Sequence, residues 1–313
     1  MGTVVRAALP EDAPAVHALV NEIDTIEIGH PETDLHTVEA DLKHPEADLE
    51  HNSWLAFDGD RLVAYALLWD DSGGERIDVD HYVLPGHQAA GLRLVELMEA
   101  RAAAKAAGNG ATRAVVHLGL TLRPTIDTDV LRGRGWEPVR RFHVLTRPVA
   151  KAADQPPPLP PGIELRACVT EADQRRAHEL LQLAMAEHFD FQPISYEKWL
   201  ADPDNRHFDG PLTWIAAADG EGDVAALRAR DDREAMGWVS TLGVLAAARG
   251  RGLGGLLLRQ AFAAFAERGR DVVGLGVDTA NPTGALRLYE RHGMSVHYAV
   301  DTWEVVVDVG SGG

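Results

Sequence analysis

The chain repeats itself at a spacing of 160 residues. Residues 4–20, VVRAALPEDAPAVHALV, open one half, and residues 164–181, ELRACVTEADQRRAHELL, open the other, with Arg6 and Arg166 in register. Further on, WLAFDGDRLVAYALL follows Trp54, and WIAAADGEGDVAALRA follows Trp214 at the same spacing. Each copy reads as a strand, a helix, and a hairpin turned at Asp-Gly. A duplication of this kind rules out one large domain. The chain has to fold as two versions of one supersecondary plan, each long enough to bury its own core.

Residues 150–161, AKAADQPPPLPP, separate the copies, and five of the last six are proline. Such a run excludes helix and central strand and reads as a polyproline spacer of about 19 Å over those six residues. The expected division is therefore a first domain over 1–149, a linker over 150–161 and a second domain over 162–313. Composition narrows the setting. No apolar run approaches the roughly 20 residues that span a bilayer, so no membrane partner is expected. The start, interrupted by proline and acids, lacks a signal-peptide layout. Cys168 is the sole cysteine, which excludes an internal disulfide and fits a cytoplasmic location. The net charge of −18 disfavours nucleic acid as a partner and favours cations such as amines.

The second half carries the most informative stretch. GWVSTLGVL (237–245) reads as a strand, GLLLRQAFAAFAERG (255–269) as a helix ending at Gly269, and DVVGLGVD (271–278) as a buried strand. NPTGALRLYERHG (281–293) reads as another helix, with Asn281 as its cap and Pro282 at its first position, and SVHYAVDTWEVVV (295–307) as a closing strand. Between the first strand and helix lie Arg249, Gly250, Arg251, Gly252, Leu253, Gly254 and Gly255. A helix N-terminus offers free N–H groups, glycines admit a bulky anion, and two arginines add charge, so a pyrophosphate fits. Gly250, Gly252 and Gly255 also satisfy G-x-G-x-x-G, with Asp278 as a possible ribose ligand, which leaves a nicotinamide-dependent oxidoreductase open. A Walker A loop is excluded, since no Gly-Lys-Ser/Thr follows.

Arg249, Gly252 and Gly254 also form R-x-x-G-x-G after Leu242, Gly243 and Val244, and Asn281 and Tyr289 follow at a spacing of eight. In these three motifs the second half resembles the GNAT superfamily of acyl-CoA N-acyltransferases. The tandem arrangement, with the better-kept copy second, is similar to the mycothiol synthase type. The resemblance implies an α/β fold: two tandem GNAT-like domains, each a mixed, splayed central sheet flanked by helices. It implies acetyl-CoA as cosubstrate and no metal, with the pyrophosphate on 249–255, the pantetheine along Leu242 to Val244, and Asn281 reaching the cosubstrate. The acceptor implied is a small-molecule amine.

An alkylamine has a pKa of about 10 and must lose a proton before attacking a thioester. The resemblance makes Tyr289 the donor to the leaving thiolate; by spacing alone it also fits a core stripe with Ala285 and Leu288. The base is open between Glu234, the nearest acid before the strand, and Asp232 or Asp301. Mycothiol synthases have a glutamate where this chain has Trp238, which departs from that reaction. EHFDFQPISYEKW (187–199) lies where the family covers its acceptor, so His188, Asp190, Tyr196, Trp199, Trp238 and Asp301 are the expected substrate contacts. The first copy keeps Gln88 and Gly91 but has Arg93 opposite Gly254, Arg123 opposite Asn281 and Leu131 opposite Tyr289, so it is expected to lack the chemistry. A module that binds CoA without turnover is the remaining alternative.

Overall fold

A computed structural model describes residues 3–201, 209–281 and 283–310. Two compact units divide it: Met1–Phe142 with Tyr298–Gly313, and His143–His297. The first contains β1 (Val4–Arg6), α1 (Ala13–Glu27), α2 (Leu35–Leu42), α3 (Leu49–Asn52), β2 (Ser53–Asp58), β3 (Arg61–Trp69), β4 (Arg76–Val83), α4 (Gln88–Gly108), β5 (Arg113–Thr121) and α5 (Thr128–Gly133). β6 (Glu137–Pro148) begins here and runs on into the second unit. There follow β7 (Ile163–Ala167), α6 (Glu171–Met185), α7 (Tyr196–Ala201), β8 (Thr213–Ala218), β9 (Gly222–Arg230), β10 (Gly237–Val244), α8 (Leu253–Glu267), β11 (Val272–Asp278) and α9 (Ala285–Arg291). β12 (Ser295–Asp308) closes the chain.

Strand ownership differs from the sequence division. The first unit's sheet runs β1-β2-β3-β4-β5-β12, and β12 pairs antiparallel with β5, Val300 with Thr121 through Asp308 with Arg113. Trp303 and Val305 of β12 are buried in that unit's core. The second unit's sheet runs β6-β11-β10-β9-β8-β7. Leu145, at the C-terminal end of β6, is fully buried in its core. The proline-rich segment therefore lies inside the second unit rather than at a boundary. Arg147 pairs with Asp154 at 2.7 Å, the Val149 N–H donates to the Asp271 carbonyl, and Lys151 pairs with Glu267. A linker's composition marks where regular structure stops, whereas a unit boundary depends on which distant strand completes each sheet.

Alternation along the strands of the second unit assigns its two faces. Trp214, Ala216, Leu227, Ala229 and Val239 pack with Leu257, Ala261, Phe262 and Phe265 of α8. Ile215 and Ala226 point the other way and pack with Ala177, Leu180 and Leu181 of α6. Gly243 shares the α6 side: a Cβ there would lie 2.6 Å from that of Ala184, so glycine lets helix and strand close up.

Candidate active site

β10 leaves its parallel neighbour early. Its pairing with β11 covers Gly237–Val239 against Val273–Leu275, while its antiparallel pairing with β9 continues to Val244 against Ala225. Between Val239 and Thr241 the β9 register shifts, so Ser240 is the extra residue of a bulge. Past that point the edge of β10 that faced β11 is open, which is the splay the sequence reading required. The Ser240 hydroxyl is buried there without a hydrogen-bond partner. A buried polar atom of this kind calls for a ligand or water to complete it.

The glycine loop follows β10 directly. Gly250 and Gly252 have φ of 81° and 79°, values that an L side chain adopts only with strain, and an added Cβ at either would meet nothing within 4 Å. Among the described residues, the N–H groups of Gly250 to Gly255 find no acceptor outside their own helix. The Leu256 N–H is the first taken, by the Gly252 carbonyl at 3.0 Å. Unmet donors, positive-φ glycines and the N-terminus of the fifteen-residue α8 together suit a phosphate. Gly254 and Gly255 have a different task. Their Cβ positions would come within 3.1 Å of Leu288 and 2.9 Å of the His292 ring, so these two glycines let α8 lie against α9. Arg249 reaches the Val244 carbonyl and Glu187, and Arg251 reaches Glu221 and the Ala247 carbonyl. Both ion pairs are surface pairs of little net stability, so a bound anion can displace the carboxylates.

Tyr289 is 7% exposed and packs in the core with Leu242, Val244 and Leu288. Burial pushes its hydroxyl up to about 12, so it holds its proton. Asn281 is not the cap of α9. Its Oδ1 accepts from the Thr283 N–H at 2.8 Å and the Thr283 hydroxyl at 2.7 Å, closing a turn on itself. Gly284, at φ 75°, caps a helix that starts only at Ala285, three residues later than the sequence pattern indicates. Pro282 lies outside the described residues. Asp278 accepts from the Ala280 N–H at 2.9 Å, which gives this acid a structural use in its own turn.

A pocket of about 200 Å³ opens on the α6 side of the sheet. Gln174, Ala177, His178, Leu181, Gln182 and Met185 line it from one face of α6, with Phe191, Trp199, Thr213, Arg228 and Thr241 opposite. Thr241 adjoins the bulge, so the pocket reaches the opened strand. Of the expected contacts, Trp199 lines it. Tyr196 stands behind, its hydroxyl on Gln174 and its ring 5.7 Å from that of Trp199. His188 and Asp190 lie in the preceding turn and are not among the lining residues. Trp238 sits at the closed start of the splay under the Arg233 guanidinium. Glu234 is exposed in the turn before β10, where its carbonyl accepts from Arg270, at the end away from the opening. Asp232 pairs with Arg230 beside it. Asp301 belongs to the first unit, bidentate with Arg141. The sequence reading missed His178, Gln174, Gln182 and Arg228. The signal was present: three polar residues at i, i+4 and i+8 on the inward face of α6, and one arginine in a strand whose buried stretch is otherwise valine, alanine and leucine.

Among the described residues the first unit shows no counterpart to the loop. Its helix α4 begins at Gln88, so Gly91 is already helical, and a Cβ added there would lie 3.0 Å from the Val83 side chain. Gln88 bonds the Thr125 carbonyl and the Asp127 N–H, and Leu131 is fully buried.

Residues 172–294 match the acetyltransferase (GNAT) family model. A mycothiol acetyltransferase of Beutenbergia cavernae is 34% identical over 140 residues, 44% of this chain and 47% of that protein, so the match spans about half of the relative's length. One of Streptomyces avermitilis is 28% identical over 76% of this chain and 75% of its own. Among solved structures, a GCN5-related N-acetyltransferase of Sphaerobacter thermophilus superposes with a TM-score of 0.83 at 27% identity, covering 98% of this chain and 96% of that one. Among the described residues no helix is long and apolar enough to cross a membrane.

Proposed function

We propose that the chain is a tandem acetyltransferase of the GNAT type, a reading supported by the family match over residues 172–294 and by the likeness to the relatives above, and that its second unit transfers the acetyl group of acetyl-CoA to the amine of a small molecule. The carrying observation is one continuous stretch. β10 parts from β11 after Val239, and the same strand runs straight into a loop of unmet N–H groups at the start of α8. The pyrophosphate rests on Gly250 to Gly255, and the pantetheine pairs with the open edge of β10 as an added strand.

The amine attacks the thioester carbon directly. Its proton leaves to His178, the lining imidazole, whose Nε2 donates to the Ile194 carbonyl at 2.9 Å and so leaves Nδ1 with a lone pair. Glu234, in the turn at the far end of β10 from the opening, is not the base in this scheme. A β10 backbone N–H at the bulge holds the oxyanion, with the Ser240 hydroxyl available as a second donor. The C–S bond then breaks, Tyr289 gives its proton to the departing thiolate, and the second proton shed by the acylated nitrogen returns to the tyrosine through solvent, leaving an amide, the CoA thiol and a neutral Tyr289. A hydroxyl held near 12 is protonated at every working pH.

Titration calorimetry with acetyl-CoA, followed by a mass-spectrometric amine screen, tests the reading. One tight site and a product heavier by an acetyl group in place of one hydrogen are expected. Protection from heat by NAD(P)H but not by acetyl-CoA would overturn it, and tight acetyl-CoA binding without turnover of any amine would favour a silent binding module.

A further inference from the structure

We infer that Gln182 is a positioning residue for the transfer: through the peptide groups of Ile194 it sets the orientation and the tautomer of His178. The inference rests on the reading of His178 as the base and concerns what aims that imidazole. It starts from Ile194, which turns both of its backbone polar groups to one face of α6. Its N–H donates to Gln182 Oε1 at 3.1 Å, and its carbonyl accepts from His178 Nε2 at 2.9 Å. A backbone N–H only donates and a carbonyl only accepts, so neither partner has a choice. The Gln182 amide must present its oxygen, and the imidazole must carry a proton on Nε2, which in the neutral ring leaves Nδ1 bare.

Helical spacing makes the two contacts one device. His178 and Gln182 are four residues apart on α6, so their side chains lie one above the other on the same face. Ile194 is held on both sides of its α-carbon, by the glutamine at its nitrogen and by the histidine at its carbonyl. Tyr196, two residues on, gives its hydroxyl to Gln174 Oε1 at 3.1 Å, one helical turn before His178. Three side chains of α6 thus grip the chain from Ile194 to Tyr196. The rings complete the arrangement. His178 stands 5.7 Å from Tyr196 and 5.4 Å from Trp199, and those two rings are 5.7 Å apart. Such packing limits tilting of the imidazole, yet an aromatic neighbour does not distinguish Nδ1 from Nε2. The carbonyl does distinguish them, and its place depends on the N–H of the same residue being held. A neutral imidazole released from that carbonyl divides its proton between the two nitrogens, and the share carrying it on Nδ1 has no lone pair there for the amine's proton. Gln182 therefore acts through Ile194 on the group that moves the proton.

The test sets Gln182→Met, which keeps the length and the helix propensity but removes the acceptor, against Gln182→Glu, which keeps an acceptor. Turnover is read by CoA thiol release on the alkaline plateau of each protein. Gln182→Met is expected to lower kcat about threefold to tenfold, the worth of one hydrogen bond, with KM for acetyl-CoA and for the acceptor little changed. Gln182→Glu should recover most of that loss. Nitrogen-15 spectra of histidine-labelled protein at the same pH read the tautomer directly, and His178→Gln assigns the signals among the fourteen histidines. A bare Nδ1 and a protonated Nε2 are expected in the unmodified chain and in Gln182→Glu, and two partly averaged nitrogens in Gln182→Met. Gln174→Met loosens the same segment through Tyr196 alone and should leave the His178 spectrum as it is, which separates aim from general loosening. An unchanged His178 spectrum in Gln182→Met would overturn the inference. So would an unchanged kcat, or a raised KM for the acceptor with kcat intact, since Gln182 would then be touching the substrate. If His178→Gln keeps full kcat, the reading of His178 as base fails separately, and the spectra alone decide whether Gln182 sets the imidazole.

Discussion

Tyr289 shows how one side chain can satisfy a packing rule and a chemical one at once. Its ring belongs to the core against which Leu242 and Leu288 also pack, and its burial is what raises the hydroxyl to about 12. Tyr289→Phe keeps the ring and removes only the acid. We expect kcat to fall roughly tenfold or more, with KM for acetyl-CoA little changed, because the interaction removed is made in the transition state. Stopped-flow release of the CoA thiol under conditions where chemistry limits the rate makes the measurement. Leu131, fully buried at the matching place in the first copy, is the internal control. Leu131→Ala should cost about 2–5 kcal/mol of stability, as a leucine cavity does, without selectively lowering kcat. An unchanged kcat in Tyr289→Phe would return the residue to the core and leave water as the donor.

Among the elements, the loop divides its glycines between two jobs. Gly250 and Gly252 are needed for their φ, Gly254 and Gly255 for the approach of α9. Gly252→Ala meets no atom but adopts the left-handed region at a cost of about 1 kcal/mol, and by twisting the loop it should weaken acetyl-CoA binding measurably in calorimetry. Gly254→Arg, which copies Arg93 of the first unit, runs into Leu288 and should lower both cosubstrate affinity and the melting temperature. Retention of full affinity in both variants would remove the pyrophosphate from this loop. The sequence made α8 and its glycine approach legible because the pattern is local: a strand, a loop and an apolar helix in order. The start of α9 was not legible, because the Asn281 side chain bonds to Thr283 and a capping asparagine looks the same on paper. The pocket was only half legible. The aromatic residues of 187–199 stood out, whereas Gln174, His178 and Gln182 resemble a solvated stripe until β9 is laid against them.

On the scale of the whole molecule, duplication was plain in the sequence, but the exchange of terminal strands was not, since pairing β12 with β5 joins residues far apart in the chain. With helix where the second unit has its glycine loop, and with Leu131 in the place of Tyr289, the first unit is expected to leave one tight acetyl-CoA site per chain, and calorimetry showing two of equal affinity would contradict it. The first unit carries a second consequence of its burial. His81, 6% exposed, has its pKa lowered from 6.5 to about 4 by desolvation, with its Nε2 on the Gly91 carbonyl at 3.0 Å. The unfolded chain takes up this proton below about 6.5, whereas the folded one resists until about 4. Stability contributed by the neutral imidazole is thus present above 6.5 and lost as pH falls toward 4, by up to roughly 3 kcal/mol. Asp80, half-buried and raised by desolvation, has the opposite sign: the folded state holds its proton more tightly than the unfolded chain, so acidification stabilises it and offsets part of the loss. Urea midpoints between pH 7 and 4.5 should therefore fall steeply in the unmodified chain and less so in His81→Leu, which cannot titrate. Parallel slopes in the two proteins would mean that the acid sensitivity resides elsewhere and that His81 is protonated without cost.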